Sequence, residues 1–115
     1  MKSKLPITTR KRNSEEESLL PLITPGEYLA EEFLGPLGLS ANALALALRV
    51  PATRMQAIVN GRRAITADTA LRLGRYFGTT AEFWINLQSI YELDKAKRER
   101  MAEIVTQVQE RSPAA

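Results

Sequence analysis

From residue 24 onward the apolar positions recur every three or four residues, and no stretch alternates in the two-residue rhythm of a half-buried strand. Thr24-Pro25-Gly26-Glu27 reads as a capping box with proline at the first helical position, and Leu29, Phe33 and Leu34 follow at helical spacing. A first helix is predicted over about 25–35, with Pro36 and Gly38 ending it. Ser40 caps a second, ANALALAL, whose Leu44, Ala45 and Leu48 share one face. After the bend at Arg49-Val50, Pro51 opens a third helix of about a dozen residues, with Met55, Ile58 and Val59 inward and Asn60-Gly61 closing it. Thr66 caps a fourth, through about Tyr76, with Ala70, Leu71 and Leu73 inward and Asp68 in the first turn, where the helix dipole favours negative charge. Thr79-Thr80-Ala81-Glu82 is a second capping box, opening a fifth helix with Phe83, Trp84, Leu87, Ile90 and Tyr91 on one face. The pattern continues through the charged DKAKRER from Asp94 to a narrow stripe of Met101, Ile104, Val105 and Val108.

These elements predict an all-α chain in three parts: a flexible tail over 1–23, a five-helix domain over 24–93 and a helical extension over 94–115. At 115 residues, 44% of them hydrophobic, the chain suffices for one domain with one core. No apolar run approaches the ~18 residues that span a bilayer and no secretory leader is evident, so a soluble, cytoplasmic protein is expected. Cysteine and histidine are both absent, which removes thiolate chemistry, the usual general base and the commonest metal ligands. Neither a metal nor a cofactor is implied, and an enzyme is not expected.

Charge is distributed unevenly. Residues 24–48 carry Glu27, Glu31 and Glu32 without a lysine or arginine, whereas residues 49–75 carry Arg49, Arg54, Arg62, Arg63, Arg72 and Arg75 against Asp68 alone. Such a basic segment attracts polyanions without a large net charge, here +3. The tail has a basic cluster of its own, Lys2, Lys4, Arg10, Lys11 and Arg12, read as a solvated terminus, with contact to DNA phosphates as the alternative.

Two short helices joined by a tight bend, the second starting with small and polar residues, form the helix-turn-helix arrangement. The major groove admits one helix, and the first turns of that helix reach deepest into it. Thr53, Arg54 and Gln56 occupy those turns and are suited to base edges: arginine to guanine O6 and N7, glutamine to adenine, a threonine methyl to thymine. Asn42, Asn60, Arg62 and Arg63 lie where the chain would meet the sugar-phosphate backbone. A solvated helix face is the competing account of Arg54 and Gln56. Phe83, Trp84, Leu87 and Tyr91 are read as core or dimer contacts rather than a ligand box.

Residues 24–93 resemble the HigA-type antitoxins, also called virulence-associated protein I-like, within the lambda-repressor-like helix-turn-helix (XRE) class. The marks that carry the resemblance are Pro25-Gly26-Glu27, Pro36-Leu37-Gly38-Leu39-Ser40, Ile58-Val59-Asn60-Gly61-Arg62-Arg63, Ile65-Thr66-Ala67-Asp68-Thr69-Ala70 and Glu82-Phe83-Trp84-Ile85-Asn86-Leu87-Gln88. The resemblance implies a five-helix DNA-binding domain with an extended C-terminal helix, acting as a homodimer on a palindromic double-stranded operator. It also implies a HigB-type toxin partner, an mRNA endonuclease that the chain neutralises while repressing its own operon; a stand-alone regulator without a toxin is the alternative. By the same resemblance Ala52, Thr53, Arg54 and Gln56 face bases and Asn60 a phosphate. One position departs from the pattern: the bend between the second and third helices commonly holds glycine where this chain has Arg49, so either the turn differs slightly or the arginine is tolerated left-handed at a cost of roughly 1 kcal/mol. The fifth helix and its charged extension are the expected pairing element. The stripe from Met101 to Val108 is expected either to dock a toxin or to pack on the core, and the acidic first helix to steer a basic toxin.

Overall fold

The computed structural model describes residues 21–112. The basic cluster from Lys2 to Arg12 and most of the expected tail, together with residues 113–115, lie outside the described residues. Five helices account for the secondary structure of the described residues, with no strand. Helix α1 covers residues 25–37 in three segments, an α-helical Pro25–Leu29, a π-helical Ala30–Leu34 and a last turn Gly35–Leu37. The others are α2 (Ala41–Leu48), α3 (Ala52–Val59), α4 (Ala67–Phe77) and α5 (Ala81–Gln107).

The caps follow from the chain's own hydroxyls. Thr24, Ser40, Thr66 and Thr80 each sit in extended backbone and accept a bond from an amide three residues on, which satisfies a donor that the first turn leaves open. For α5 this corrects the sequence expectation by one residue. Thr80 is the cap, and the Thr79 hydroxyl instead accepts the Trp84 indole N–H at 2.8 Å.

Pro36 does not end α1, contrary to expectation. A proline inside a helix lacks an amide and its ring collides with the carbonyl four residues back. Here the π-helical turn widens the spiral just before it, and the Gly35 amide bonds five residues back to Ala30. The helix therefore passes Pro36 and stops only where Gly38 turns left-handed, at φ 62°. Helix α3 is shorter than the dozen residues expected, at eight. Pro51 is its cap rather than its first turn, and Gly61, at φ 76°, returns the chain through the Arg62 amide to the Ala57 carbonyl.

The core is built from one stripe of each helix: Leu29 and Leu34; Leu44, Ala45 and Leu48; Met55 and Ile58; Ala70 and Leu73; and Trp84, with Ile65 from the loop between α3 and α4. Phe33, Phe77 and Phe83 surround the Trp84 ring at centroid distances of 5.0, 6.2 and 4.9 Å, a cluster that closes the base of the domain. At Gly26, α1 touches the back of α3 so closely that a β-carbon there would stand 1.6 Å from the Ile58 carbonyl oxygen.

Two apolar expectations fail, and one of the two alternatives for the distal stripe is excluded, because those side chains face no neighbouring helix among the described residues. Leu71 lies outward, on the rim of a shallow groove of about 360 Å³ that also involves Leu48, Arg72 and Tyr76; Thr69 and Gly74 hold the buried places on α4 instead. Ile90 is 66% exposed because it lies one helical step of 100° from the half-buried Tyr91, on the outward side of α5. The stripe from Met101 to Val108 does not pack on the core: Met101, Ile104, Val105 and Val108 are all exposed. No helix among the described residues is long and apolar enough to cross a membrane.

Candidate nucleic-acid interface

Helix α2 packs across α3 with Ala45, 2% exposed, at the crossing, where a longer side chain would hold the axes apart. The bend between them depends on Arg49. Its φ of 62° and ψ of 43° put it in the left-handed region, and the Val50 amide then reaches back to the Ala45 carbonyl to close α2. Arg49 is the non-glycine residue with positive φ among the described residues, so of the two alternatives open at this bend the arginine is the one tolerated left-handed.

With Met55 and Ile58 buried and Val59 partly so, the helical period turns Thr53, Ala57 and Asn60 to the opposite side of α3, with Gln56 beside them. Ala52, Thr53, Gln56 and Asn60 are exposed, and Ala57 is half-buried. Ala57 was absent from the sequence expectation, although the 100° step from Thr53 and Asn60 would have identified it. Two side chains on the flanks are held by neighbouring helices. The Gln56 amide donates to the Asn42 side-chain oxygen of α2 at 2.7 Å, and the Arg54 guanidinium donates to Asp68 of α4 at 3.4 Å. Asn42 therefore orients Gln56 as well as lying at the start of α2. Asp68 is the second residue that the sequence reading placed elsewhere, as a helix-dipole charge; only the fold brings it to Arg54, fourteen residues away.

Asn60, Arg62 and Arg63 are exposed in the loop that leaves α3. That loop is anchored where the Ile65 amide donates to the Gln88 side-chain oxygen of α5 at 2.9 Å. Arg49, Arg54, Arg62 and Arg63 thus bracket both ends and one flank of an eight-residue helix, while Glu27, Glu31 and Glu32 are exposed on α1, which packs on the back of α3. Trp84 belongs to the core, Phe83 and Leu87 are partly buried against it, and Tyr91 is half-buried beyond them. A short helix with a polar outer face, an apolar underside and arginines at its margins has the shape and charge to lie in a groove lined with phosphates.

Comparison with known proteins agrees with that geometry. The helix-turn-helix family matches residues 29–84. The chain is 53% identical over 83 residues to virulence-associated protein I of Dichelobacter nodosus, a match spanning 72% of this chain and 77% of that one. Among solved structures it resembles the Pseudomonas aeruginosa antitoxin HigA with the higBA promoter, at 46% identity and a TM-score of 0.75, covering 77% of this chain and 97% of that one. It also resembles an addiction module antidote protein of the HigA family from Coxiella burnetii, at 48% identity and a TM-score of 0.76, covering 80% and 100% of the two chains.

Proposed function

Because the chain belongs to the HigA-type, virulence-associated protein I-like family of helix-turn-helix proteins, we propose that it is the antitoxin of a toxin-antitoxin pair, a DNA-binding repressor of its own operon in the cytoplasm. The observation that carries the reading is the outer face of α3. Ala52, Thr53, Arg54 and Gln56 are the base-reading residues, Arg54 and Gln56 already tethered at its flanks. Asn42, Asn60, Arg62 and Arg63 contact the backbone and set the register on the duplex, which explains why they cluster at helix starts and in the loop after α3. None of these roles requires a catalytic group.

One copy of so small an interface releases few counterions, so two copies with reading helices ~34 Å apart are needed for useful affinity. The pairing element is α5. Ile90 and Met101, and Leu93 and Ile104, are each separated by eleven residues, and all four are exposed. An eleven-residue repeat advances about 3.67 residues per turn, close to the helix's own 3.6, so the stripe runs nearly straight along one face. From Ile90 to Val108 it extends about 27 Å at 1.5 Å per residue, enough to align a second copy. The exposed acidic face of α1 is the side that meets the toxin.

A mobility-shift titration against the DNA immediately upstream of the coding sequence tests the repressor role, with Arg54→Ala expected to weaken specific binding by about 1 to 3 kcal/mol. An unaltered shift would remove Arg54 from base reading. Co-purification with the product of the adjacent reading frame tests the antitoxin role. If no such complex forms and expression of that product does not arrest growth, the protein is a stand-alone regulator.

A further inference from the structure

A polar strap runs along one flank of α3 and ties three helices together. The Arg72 guanidinium donates through Nη1 to the Leu48 carbonyl that ends α2, at 2.9 Å, and through Nε to Asp68 Oδ2, also at 2.9 Å. The same carboxylate oxygen accepts from Nη1 of Arg54, at 3.4 Å. Arg72 is thus pinned at both ends, and Asp68 is held in place by it. Although Arg54 extends from a short, outward-facing helix, only 27% of its side chain is exposed. An arginine bonded at one terminal nitrogen keeps the edge formed by Nε and Nη2, the fork that meets guanine O6 and N7.

We propose that Asp68 is a positioning residue for base recognition: it holds the Arg54 guanidinium in a reading orientation and so sets how sharply the protein separates its operator from other DNA. The proposal rests on the repressor reading above and adds a residue to it. A carboxylate beside a phosphate-binding surface lowers affinity for any duplex, since it opposes the counterion-release term that makes binding favourable. Its compensating effect is on selectivity. An arginine free to rotate bonds whichever phosphate is nearest, whereas one restrained before contact loses less conformational freedom on meeting the correct base. Because Arg72 already neutralises part of the Asp68 charge, the carboxylate can remain there without fully repelling DNA.

The test compares wild type, Asp68→Asn, Arg54→Ala and the double variant on two duplexes, the DNA immediately upstream of the coding sequence and a scrambled sequence of equal length and composition. Asp68→Asn should reduce the ratio of the two affinities about two- to ten-fold, the range expected for restraining one long side chain. Its affinity for the scrambled duplex should hold or rise, since a negative charge is gone. In the Arg54→Ala background the same substitution should leave the ratio unchanged, because there is no guanidinium left to position. Circular dichroism melts, run on all four proteins, locate a temperature at which each is folded, which separates this role from any loss of helix-dipole stabilisation in α4. An undiminished ratio in Asp68→Asn, or an equal fall with and without Arg54, overturns the proposal. Absence of any preference in the wild-type protein would overturn the repressor reading itself, and the proposal with it.

Discussion

Helix α5 contains two stretches that read alike and end differently. Its first two turns place Trp84 at 0% exposure, with Phe83, Ile85 and Leu87 packed against the same core. Its last turns carry Met101, Ile104 and Val105 at comparable helical spacing, and all three are exposed. The difference is supplied by neighbours: α1 and α4 flank the first part, and nothing among the described residues faces the second. The distal half is supported by pairs along its own surface, Asp94 with Arg98 at 3.4 Å, Arg100 with Glu103 at 3.0 Å, and Gln107 with Glu103 at 3.2 Å. Such pairs contribute only a few tenths of a kcal/mol each, so the stripe's apolar area remains available to a second molecule.

Substitutions can break that contrast, beginning at the packed end. Trp84→Ala should cost about 3 to 5 kcal/mol, measured by urea denaturation, since it empties the aromatic cluster and leaves the Thr79 hydroxyl without its donor. A loss below about 1 kcal/mol would mean that the first turns of α5 are no better packed than the last. Gly26→Ala should cost about 3 kcal/mol by the same assay, at the upper end of overpacking effects, because the clash is with the Ile58 backbone and no rotamer change relieves it.

Arg49→Gly tests the bend rather than the core. Glycine accepts the left-handed backbone without strain but loses more freedom on folding, and the net gain should be about 0.5 to 1 kcal/mol, seen as a melting temperature several degrees higher. DNA binding should weaken only slightly, and a lower melting temperature would contradict a strained arginine. Ile104→Glu should have the smallest effect on the fold, within about 0.5 kcal/mol, since the side chain touches no core residue. It should instead abolish the concentration dependence of the wild-type melt and shift the sedimentation coefficient to that of a monomer. If wild type is already monomeric at high concentration, α5 is not the pairing element.

Much of this molecule could be read from its residues. Thr24, Ser40 and Thr66 announce three helix starts, the inward stripes of α2 and α3 were legible as written, and one missing glycine marked Arg49 as a candidate for the left-handed region. The outer face of α3 was legible for the same reason, because a helix period and an apolar underside together determine what points away. Leu71 and Ile90 were misplaced because periodicity says which residues share a face and not how wide a stripe of that face the neighbouring helices cover. Pro36 was misread because its usual effect presumes an α-helical turn before it, and the π-helical segment was not visible as a pattern.

The sequence by itself determined the order of the helices, the caps at Thr24, Ser40 and Thr66, the site of the turn at Arg49 and the residue types offered to a nucleic acid. Those are decided within a turn or two of the chain, by amide satisfaction and by the 3.6-residue period. Only the tertiary structure decided that Gln56 meets Asn42, that Arg54 meets Asp68, and that Arg72 bridges Asp68 to Leu48. Apart from the i,i+4 pair of Asp68 and Arg72, these contacts join residues fourteen to twenty-four positions apart, and the one between Gln56 and Asn42 spans the α2–α3 crossing that the small Ala45 keeps close. Hydrogen bonds of that reach depend on separations between helix axes, which no local propensity specifies.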